Sequence, residues 1–463
     1  MSNKNNKALI VGTITYAIGT FGTKILSFLI VPLYTYFIAP EDLGDYDLLV
    51  TTVSLLSPLL TMKISEATYR WIINNNNNER PYIIATYKLL FRNCIIVGAL
   101  IAVINHFFPI WNCYYFIAIL ICDRILECLQ KLLRGLKNQK LFAVSGVFHT
   151  ALFVSLNLYK IVYLKQGVNA LLQSNIISVT LTILLIFIFE PRLRYFNFKG
   201  DYRDKQKEML RYSTPLVPSA LGWWVMNASD RYVIRLMIGR AANGIYSVAY
   251  KFPSILSTVF NMFNNSWTDM ALAELEKGEK TEEYTKRIFC SLYKLSFGMA
   301  FILIPASKLV MKVILSESYK EAAVYVGFLY LGTVFQSFST FSGTGYLHSK
   351  RTAGAAKTSV IGAAINIIID ILLIRYLGLF AASISTFVGF FVMWIIRVRD
   401  LKDVFPIHVD TREFCIYMCV AITVAIAIIW TNNYLDLALT IIGAIFFIKS
   451  NKKYVSNMIK KFK

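Results

Sequence analysis

Charged residues are scarce in this sequence, and long polar segments are missing. Only 16% of its 463 residues are Asp, Glu, Lys or Arg, whereas a soluble domain has about 25%. The longest polar break, around residues 190–209, is too short for a soluble catalytic domain. Apolar residues make up 56% of the chain and recur in runs of about 18 or more, each long enough to cross a hydrocarbon core of about 30 Å. These features exclude a soluble globular protein and indicate a polytopic membrane protein.

Several motifs of catalysis and metal binding are also absent from the sequence. There is no Walker A sequence for ATP, no GxSxG for a nucleophilic serine and no HExxH for zinc. The four histidines are scattered and the seven cysteines form no CxxC pair, so neither a metal site nor a disulfide framework is indicated. We therefore expect no catalytic residue, no metal and no cofactor, and a protein that is not an enzyme.

The apolar runs are continuous rather than alternating, which indicates helices and not strands. The polar breaks place fourteen spans near residues 9–38, 43–70, 82–107, 112–135, 140–163, 168–190, 210–239, 243–270, 287–306, 322–347, 356–376, 378–397, 412–430 and 434–449. The last run is short, so twelve or thirteen spans stay open. The sequence thus predicts an all-α polytopic membrane protein of about 14 transmembrane helices.

The net charge of +21 is distributed unevenly along the chain. If the N-terminus is cytoplasmic and the spans alternate, the cytoplasmic breaks hold 33 of the 48 Lys and Arg residues and the outward breaks hold 8. The positive-inside rule then predicts that both termini are cytoplasmic. Because this charge orients the chain and attracts anionic lipid, it does not indicate a nucleic-acid partner. The first run lacks a short apolar region followed by a cleavage site, so we expect the first helix to be retained.

An internal repeat emerges when the sequence is shifted by 200 residues. Residues 44–62 then align without gaps on residues 244–262, with six identities in nineteen positions. Six spans separate the two segments, so both cross the membrane in the same direction. This predicts two parallel six-helix lobes around a central cleft, formed by residues 1–200 and 201–405. Residues 406–463 are then two additional helices and a basic cytoplasmic tail.

Polar side chains share one face in several of the predicted helices. In the first helix that face carries Thr13, Tyr16, Thr20, Thr23, Lys24 and Ser27. Lys24 lies about fifteen residues from either end, over roughly 20 Å, beyond the reach of a snorkelling side chain. An ammonium at that depth is costly, so we expect it to face water or substrate. The predicted helices 7 and 8 repeat the design, and together with helix 1 they are expected to line the cleft.

Other charges within spans leave structural and functional interpretations open. Asp123 and Arg124 lie beside Glu127 on one helix and can form an ion pair there. Asp230 and Arg231 fall on the polar stripe of predicted helix 7. Further candidates are Asp269 on predicted helix 8, Asp370 with Asn366 one turn away, and Lys251, which is near enough to a helix end to snorkel.

Two segments carry a resemblance to a known family. The first is FGTKILSFLIVPLYTYFIAPEDLGDYDLLVTTVSLLSPLLTM at 21–62, where the matching residues are Pro32, Leu33, Tyr34, Thr35, Pro40, Glu41 and Gly44. The second is NASDRYVIRLMIGRAANGIYSVAYKFP at 227–253, where Ser229 to Tyr232, Gly244 to Ser247 and Ala249 to Lys251 match. These patterns resemble the Wzx-type polysaccharide flippases of the multidrug/oligosaccharidyl-lipid/polysaccharide (MOP) exporter superfamily. The sequence departs from the family pattern at Asp45, Trp223 and Trp224.

The resemblance implies a flippase that moves an undecaprenyl-diphosphate-linked oligosaccharide across the bacterial cytoplasmic membrane by alternating access, for capsule, exopolysaccharide or O-antigen synthesis. The expected substrate-binding residues are Lys24, Arg231, Lys251, Tyr16, Tyr250 and Asn227, because a diphosphate needs cations and sugars stack on aromatic rings. The expected coupling or ion-pair residues are Asp123, Arg124, Asp230, Asp269 and Asp370. Membrane potential and a cation gradient both stay open as the energy source.

The partners implied by the resemblance are the lipid-linked oligosaccharide, the lipid bilayer, and polysaccharide assembly proteins such as a polymerase and a chain-length regulator. Two other functions stay open. A cation-coupled multidrug exporter of the same superfamily would favour an acidic cleft, against which the basic residues argue. A membrane glycan polymerase or ligase would need a larger outward loop than the sequence offers.

Overall fold

The computed structural model describes residues 22–74, 79–196, 200–275, 281–349, 351–407 and 409–451. Within these ranges the chain forms α-helices with short turns, and no strand is present. The helices are α1 (Gly22–Phe37), α2 (Pro40–Thr61), α3 (Ile64–Asn74), α4 (Arg80–Phe107), α5 (Cys113–Gly135), α6 (Gln139–Leu158), α7 (Val168–Phe189), α8 (Arg203–Ser213), α9 (Leu216–Ala228), α10 (Asp230–Met237), α11 (Arg240–Leu275), α12 (Thr281–Ile314), α13 (Ala322–His348), α14 (Thr352–Leu377), α15 (Leu379–Asp400), α16 (Thr411–Ala427) and α17 (Asn433–Ser450). The predicted all-α fold is confirmed.

Length and hydropathy identify nine helical segments of the described ranges as able to cross a bilayer. They are α2, α4, α6 with the π-helical turn that follows it, α7, α12, α13 with the turn before it, α14, α15 and α17. A helix needs about 20 mostly apolar residues to do so. The chain is therefore a multi-pass membrane protein, while the count of fourteen spans stays a prediction.

Two predicted spans are interrupted in the structure. The span at 43–70 breaks between α2 and α3 at Met62 and Lys63, whose φ angles of 48° and 53° lie in the left-handed region. The span at 210–239 is interrupted between α8 and α9 at Thr214 and Pro215, whereas the backbone at Ser229, between α9 and α10, keeps helical angles. No glycine stands at Met62 or Lys63, and a left-handed conformation is uncommon for other residues. Apolar periodicity alone therefore could not locate that turn.

The chain divides into two compact units. Unit 1 contains the described parts of 1–38 and 45–224, and unit 2 contains 39–44 and the described parts of 225–463. In unit 1, α4, α5 and α7 enclose an aliphatic core that includes Ile83, Ile119, Leu129 and Leu172. Lipid chains are as apolar as these side chains, so close van der Waals contact, rather than removal from water, favours packing among the helices. The division predicted near residue 200, and the separate status of 406–463, stay predictions.

Unit 2 is built around α13, which packs against α11, α12, α14, α15 and α16. Its interior is aromatic, with rings stacked or edge-on at short range. The rings of Trp267 and Phe341 are stacked with centroids 4.5 Å apart, and Phe335 and Phe338 meet edge-on at 5.3 Å. Such pairs contribute beyond their buried area. The aromatic interior holds α13 rigidly and fixes the positions of the helices that carry the polar residues described below.

Two glycines join residues 39–44 closely to the start of α11. A Cβ atom added at Gly44 would lie 2.1 Å from the carbonyl oxygen of Arg240, and one added at Gly244 would lie 2.0 Å from that of Pro40. The two contacts are related by the same 200-residue shift that relates the repeated sequence segments. Since backbone atoms occupy both positions, neither glycine can be replaced without moving the chain.

Candidate functional site

A group of polar side chains lies inside unit 2, and we call it the Asp230 cluster. Its members are Asn227, Asp230, Arg231, Tyr246, Tyr250, Gln336, Asn366 and Asp370. They come from α9, α10, α11, α13 and α14. The backbone passes through Ser229 with helical angles, φ −66° and ψ −28°, so Asp230 and Arg231 continue the helical path of α9. Both side chains are buried inside the unit.

Asp230 is 2% exposed and is held by three hydrogen bonds. One of its oxygens accepts from the Arg231 guanidinium at 3.1 Å and from the Arg231 backbone N–H at 2.9 Å. The other oxygen accepts from the hydroxyl of Tyr246. A buried carboxylate is tolerated when it is paired and hydrogen-bonded in this way. Tyr246 therefore serves to position Asp230.

The Arg231 guanidinium, 7% exposed, is fixed on its other side by two neighbours. It donates to the carbonyl oxygen of Asn227 at 2.9 Å and lies over the ring of Tyr250, 4.6 Å from its centroid. The Asn227 side-chain oxygen accepts from the Tyr250 hydroxyl at 3.3 Å and from the Gln336 amide at 2.7 Å. The predicted residues Asn227, Arg231 and Tyr250 thus meet in one network. Gln336 belongs to it although the sequence reasoning did not name it.

Asp370, only 1% exposed, is different from Asp230. Neither of its carboxylate oxygens accepts a hydrogen bond from any residue that the structure describes. The Asp370 carboxylate is close enough to Asp230 for their charges to interact. A buried carboxylate with no donor is costly, and a proton or a bound cation relieves that cost. This pair of carboxylates can therefore take up H⁺ or a small cation such as Na⁺.

Asn366 lies one turn before Asp370 on α14, is buried, and accepts from the Ser229 hydroxyl at 3.3 Å. Its amide approaches the hydroxyl oxygens of Ser385 and Thr386 at 3.4 and 3.5 Å. These contacts hold α14 against Ser229 and against α15, one turn from the Asp370 carboxylate.

Four predicted site residues lie apart from this cluster or outside the described part. Lys24 is exposed on α1 in unit 1, and no described residue is hydrogen-bonded to it. Lys251 is exposed on α11 in unit 2. Asp269 lies within α11, but its side chain is outside the described residues, and Tyr16 lies outside them altogether. Their roles stay predictions.

The charges at Asp123 and Arg124 belong to a separate group in unit 1. Arg124 pairs with Glu127 one turn further along α5 and donates to the hydroxyl of Ser57 at 2.5 Å. Asp123 is half-buried, and its charge interacts with that of Arg124. The ion pair therefore joins 124 to 127 rather than to 123, and through Ser57 it ties α5 to α2. This geometry suits an interhelical support.

A buried ion pair that the sequence reasoning missed joins α12 to α17 in unit 2. The ammonium of Lys308 lies 3.3 Å from a carboxylate oxygen of Asp436, and both side chains are almost fully buried. It also donates to the carbonyl of Ile428 and, at 2.7 Å, to that of Thr431. A signal existed in the sequence, since Lys308 and Asp436 both lie near the predicted outward ends of their helices. Because Lys308 and Asp436 lie far apart in the sequence, nothing in it indicated that they form a pair.

We expect Lys308→Met to lower the free energy of unfolding by about 3–5 kcal/mol, because it removes the buried cation and leaves the Asp436 carboxylate with the Thr431 hydroxyl and the more distant Lys312. The measurement is denaturant-induced unfolding of the purified protein in detergent. Lys320→Met is the matched control, since Lys320 pairs with Glu317 at an exposed site and should contribute about 1 kcal/mol or less. Equal stability of the two variants would contradict the assignment.

Comparison with known proteins adds to this geometry. Residues 9–268 match the family described as polysaccharide biosynthesis protein. The uncharacterized membrane protein MJ1068 of Methanocaldococcus jannaschii is 24% identical over 199 residues, which are 42% of this chain and 38% of MJ1068. The chain thus aligns with well under half of that relative's length.

Solved structures share the fold at low sequence identity. A structure of the lipid II flippase MurJ in an inward closed conformation has a TM-score of 0.73 and 13% identity, covering 96% of this chain and all of that one. An inward-facing multidrug resistance MATE family transporter of the MOP superfamily has a TM-score of 0.64 and 14% identity, covering 82% of this chain and 95% of that one. The fold is that of the MOP superfamily. Since the family match covers more than half of its residues, the chain belongs to the polysaccharide biosynthesis protein family.

Proposed function

We propose that this protein is a flippase that carries undecaprenyl-diphosphate-linked oligosaccharide repeat units from the cytoplasmic to the outer leaflet of the bacterial cytoplasmic membrane. The observation that carries the proposal is a polysaccharide biosynthesis family match on a MOP-type fold. The absence of any long polar segment in the sequence supports transport rather than glycan polymerisation or ligation. The product would enter the synthesis of a capsule, exopolysaccharide or O-antigen by polymerase and chain-length regulator proteins.

The diphosphate is the part of this substrate that most resists crossing a membrane, since it is charged in a medium of low dielectric constant. Lys24 is exposed on an apolar helix, so its ammonium is available for an anionic headgroup. Arg231 is buried and already bonded within the Asp230 cluster, so its part is to hold Asn227 and Tyr250 in place. Lys251, next to Tyr250 on α11 of unit 2, stays a predicted substrate-binding residue.

Transport by alternating access needs a group whose occupancy can differ between two states. Asp370 fits this requirement because its carboxylate is buried and has no described donor. We therefore assign the coupling ion, H⁺ or Na⁺, to Asp370 together with Asp230. In this assignment the ion relieves the repulsion between the two carboxylates.

The test is translocation of a fluorescent polyprenyl-diphosphate oligosaccharide in proteoliposomes that contain the native chain or Lys24→Ala. We expect the variant to fall to the rate of protein-free vesicles, because no other described cation of α1 can replace Lys24. Lys24→Arg should keep most of the activity. Lys140→Ala is the matched control, since Lys140 is exposed at the start of α6 in the same unit.

The outcomes test the flippase function and the role of Lys24 separately. Translocation that survives Lys24→Ala would keep the flippase and remove Lys24 from its site. If the native chain moves no lipid-linked glycan but exports a cationic dye, the flippase proposal fails and a multidrug exporter takes its place.

A further inference from the structure

Helix α8 of unit 1 is an amphipathic helix that packs beside a membrane span. Its Met209 is fully buried, and its Gln206 donates to the carbonyl oxygen of Ala85 on α4 at 2.9 Å. The indole of Trp71 on α3 donates to Glu208 at 2.8 Å. These contacts fix α8 against α3 and α4. Its basic side chains therefore stand at defined positions near the N-terminal part of α4.

Two adjoining cavities between α4 and α8 are strongly basic. The first, of about 430 Å³, is lined by Lys88, Arg92, Asp201, Arg203 and uncharged neighbours. The second, of about 700 Å³, shares Arg92 and Arg203 and adds Lys207 and Arg211. Together their walls hold five basic residues and one acidic residue. Such a concentration of positive charge attracts a phosphate-bearing group.

An apolar groove continues from the first cavity. It has a volume of about 410 Å³ and includes Cys94, Ile95, Ile121, Ile125 and Ile183 in its lining. No charged residue lines it, and Phe91 belongs both to the groove and to the first cavity. Phe91 and Ile95 are more than half exposed, so the groove is open along the side of the unit. A basic cavity thus leads directly into an open apolar channel.

We propose that unit 1 binds one anionic glycerophospholipid, with its phosphate in the basic cavities and one acyl chain in the groove. Along α4, Lys88 and Arg92 lie nearer the predicted cytoplasmic end, while Cys94 and Ile95 lie deeper. This order matches the order of headgroup and chain in the cytoplasmic leaflet. Basic pockets beside membrane helices on the cytoplasmic side are suited to anionic lipid headgroups.

Size distinguishes this lipid from the long polyprenyl chain of the proposed substrate. The groove, of about 410 Å³, has room for roughly one acyl chain, whereas an undecaprenyl chain is more than twice as long. The site also lies wholly within unit 1, whereas the Asp230 cluster belongs to unit 2. The lipid site therefore does not depend on the proposed transport function.

The test is native mass spectrometry of the full-length protein in detergent, titrated with dioleoyl phosphatidylglycerol and, separately, with dioleoyl phosphatidylcholine. We expect tighter binding of the anionic lipid. Arg92→Gln/Arg203→Gln should weaken that binding by about thirtyfold and leave phosphatidylcholine unchanged, given the usual contribution of each basic residue near an anionic lipid. Arg92→Lys/Arg203→Lys should keep most of the preference.

The matched control removes two exposed charges elsewhere, with Arg399→Gln/Lys402→Gln in unit 2. Ile95→Trp, which fills the groove and keeps every charge, should weaken phosphatidylglycerol binding but not the binding of free glycerol phosphate. Equal binding of both lipids, or equal loss in the control, would overturn the proposal. If undecaprenyl phosphate binds more tightly than phosphatidylglycerol, the groove is a site for the substrate's lipid and the proposal is wrong. If glycerol phosphate binds as tightly as the lipid, the site recognises only an anion and the groove holds no acyl chain.

Discussion

Asp370→Asn is expected to make translocation insensitive to the ion gradient while the protein stays folded. In the native chain the Asp370 carboxylate is buried, lacks a described donor and interacts with the charge of Asp230. An amide of the same shape cannot take up a proton or balance a cation's charge. Coupling free energies of about 1–3 kcal/mol correspond to roughly 5- to 150-fold in equilibrium affinity for the coupled ligand. We therefore expect the acceleration that the gradient produces in the native chain to be absent from the variant.

The measurement compares the initial translocation rate in proteoliposomes with an imposed pH gradient, an imposed Na⁺ gradient and no gradient. The gradient that accelerates the native chain identifies the ion. Asp403→Asn is the matched control, because Asp403 is exposed and makes the same change of one charge. If Asp370→Asn responds to the gradient as the native chain does, the coupling assignment is wrong.

Arg231→Ala is expected to destabilise the protein by about 3–5 kcal/mol, because it leaves Asp230 buried without its cation. It also removes the guanidinium group that stacks on the Tyr250 ring and donates to the Asn227 carbonyl oxygen. Arg231→Lys should fall between Ala and the native residue, since an ammonium pairs with Asp230 but lacks the flat guanidinium that covers the ring. Unfolding in detergent measures the series.

The double variant Asp230→Asn/Arg231→Met distinguishes the cost of an unpaired buried charge from the loss of the Arg231 side chain itself. Replacing both partners removes the unpaired charge, so it should be more stable than Arg231→Ala. If the two variants are equally stable, the buried pair is not the source of the loss. Translocation should be low in both variants, because the network around Asn227 and Tyr250 is disrupted in each.

The sequence predicted the helical class and much of the polar network, and the reason is periodicity. Asp230 and Arg231 lie three and four residues after Asn227 on one stripe, and Asp370 lies four residues after Asn366 on another. Such spacing places side chains on one helix face. The left-handed turn at Met62 and Lys63 could not be predicted, because no glycine stands there.

The other unpredicted features depend on tertiary contacts. Gln336 joins Asn227 across 109 positions of sequence, and the helices that bring them together are specified by aromatic packing rather than by local pattern. Arg124 could equally have paired with Asp123 or Glu127 on sequence grounds. Only the helix geometry and the hydroxyl of Ser57 determine that Glu127 is its partner. The local sequence therefore does not specify which side chains pair across helices.

The ion pair between Lys308 and Asp436 has a consequence for synthesis. The two residues are 128 positions apart, so at about 5–20 residues per second roughly 6 to 25 s separate their emergence from the ribosome. During that interval Lys308 has already entered the membrane without Asp436. Its place near the predicted outward end of α12 is expected to let its ammonium reach water until α17 arrives. In a nascent chain that stalls before Asn433, Lys308 therefore stays unpaired and accessible to the quality-control machinery, whereas the finished protein buries it against Asp436.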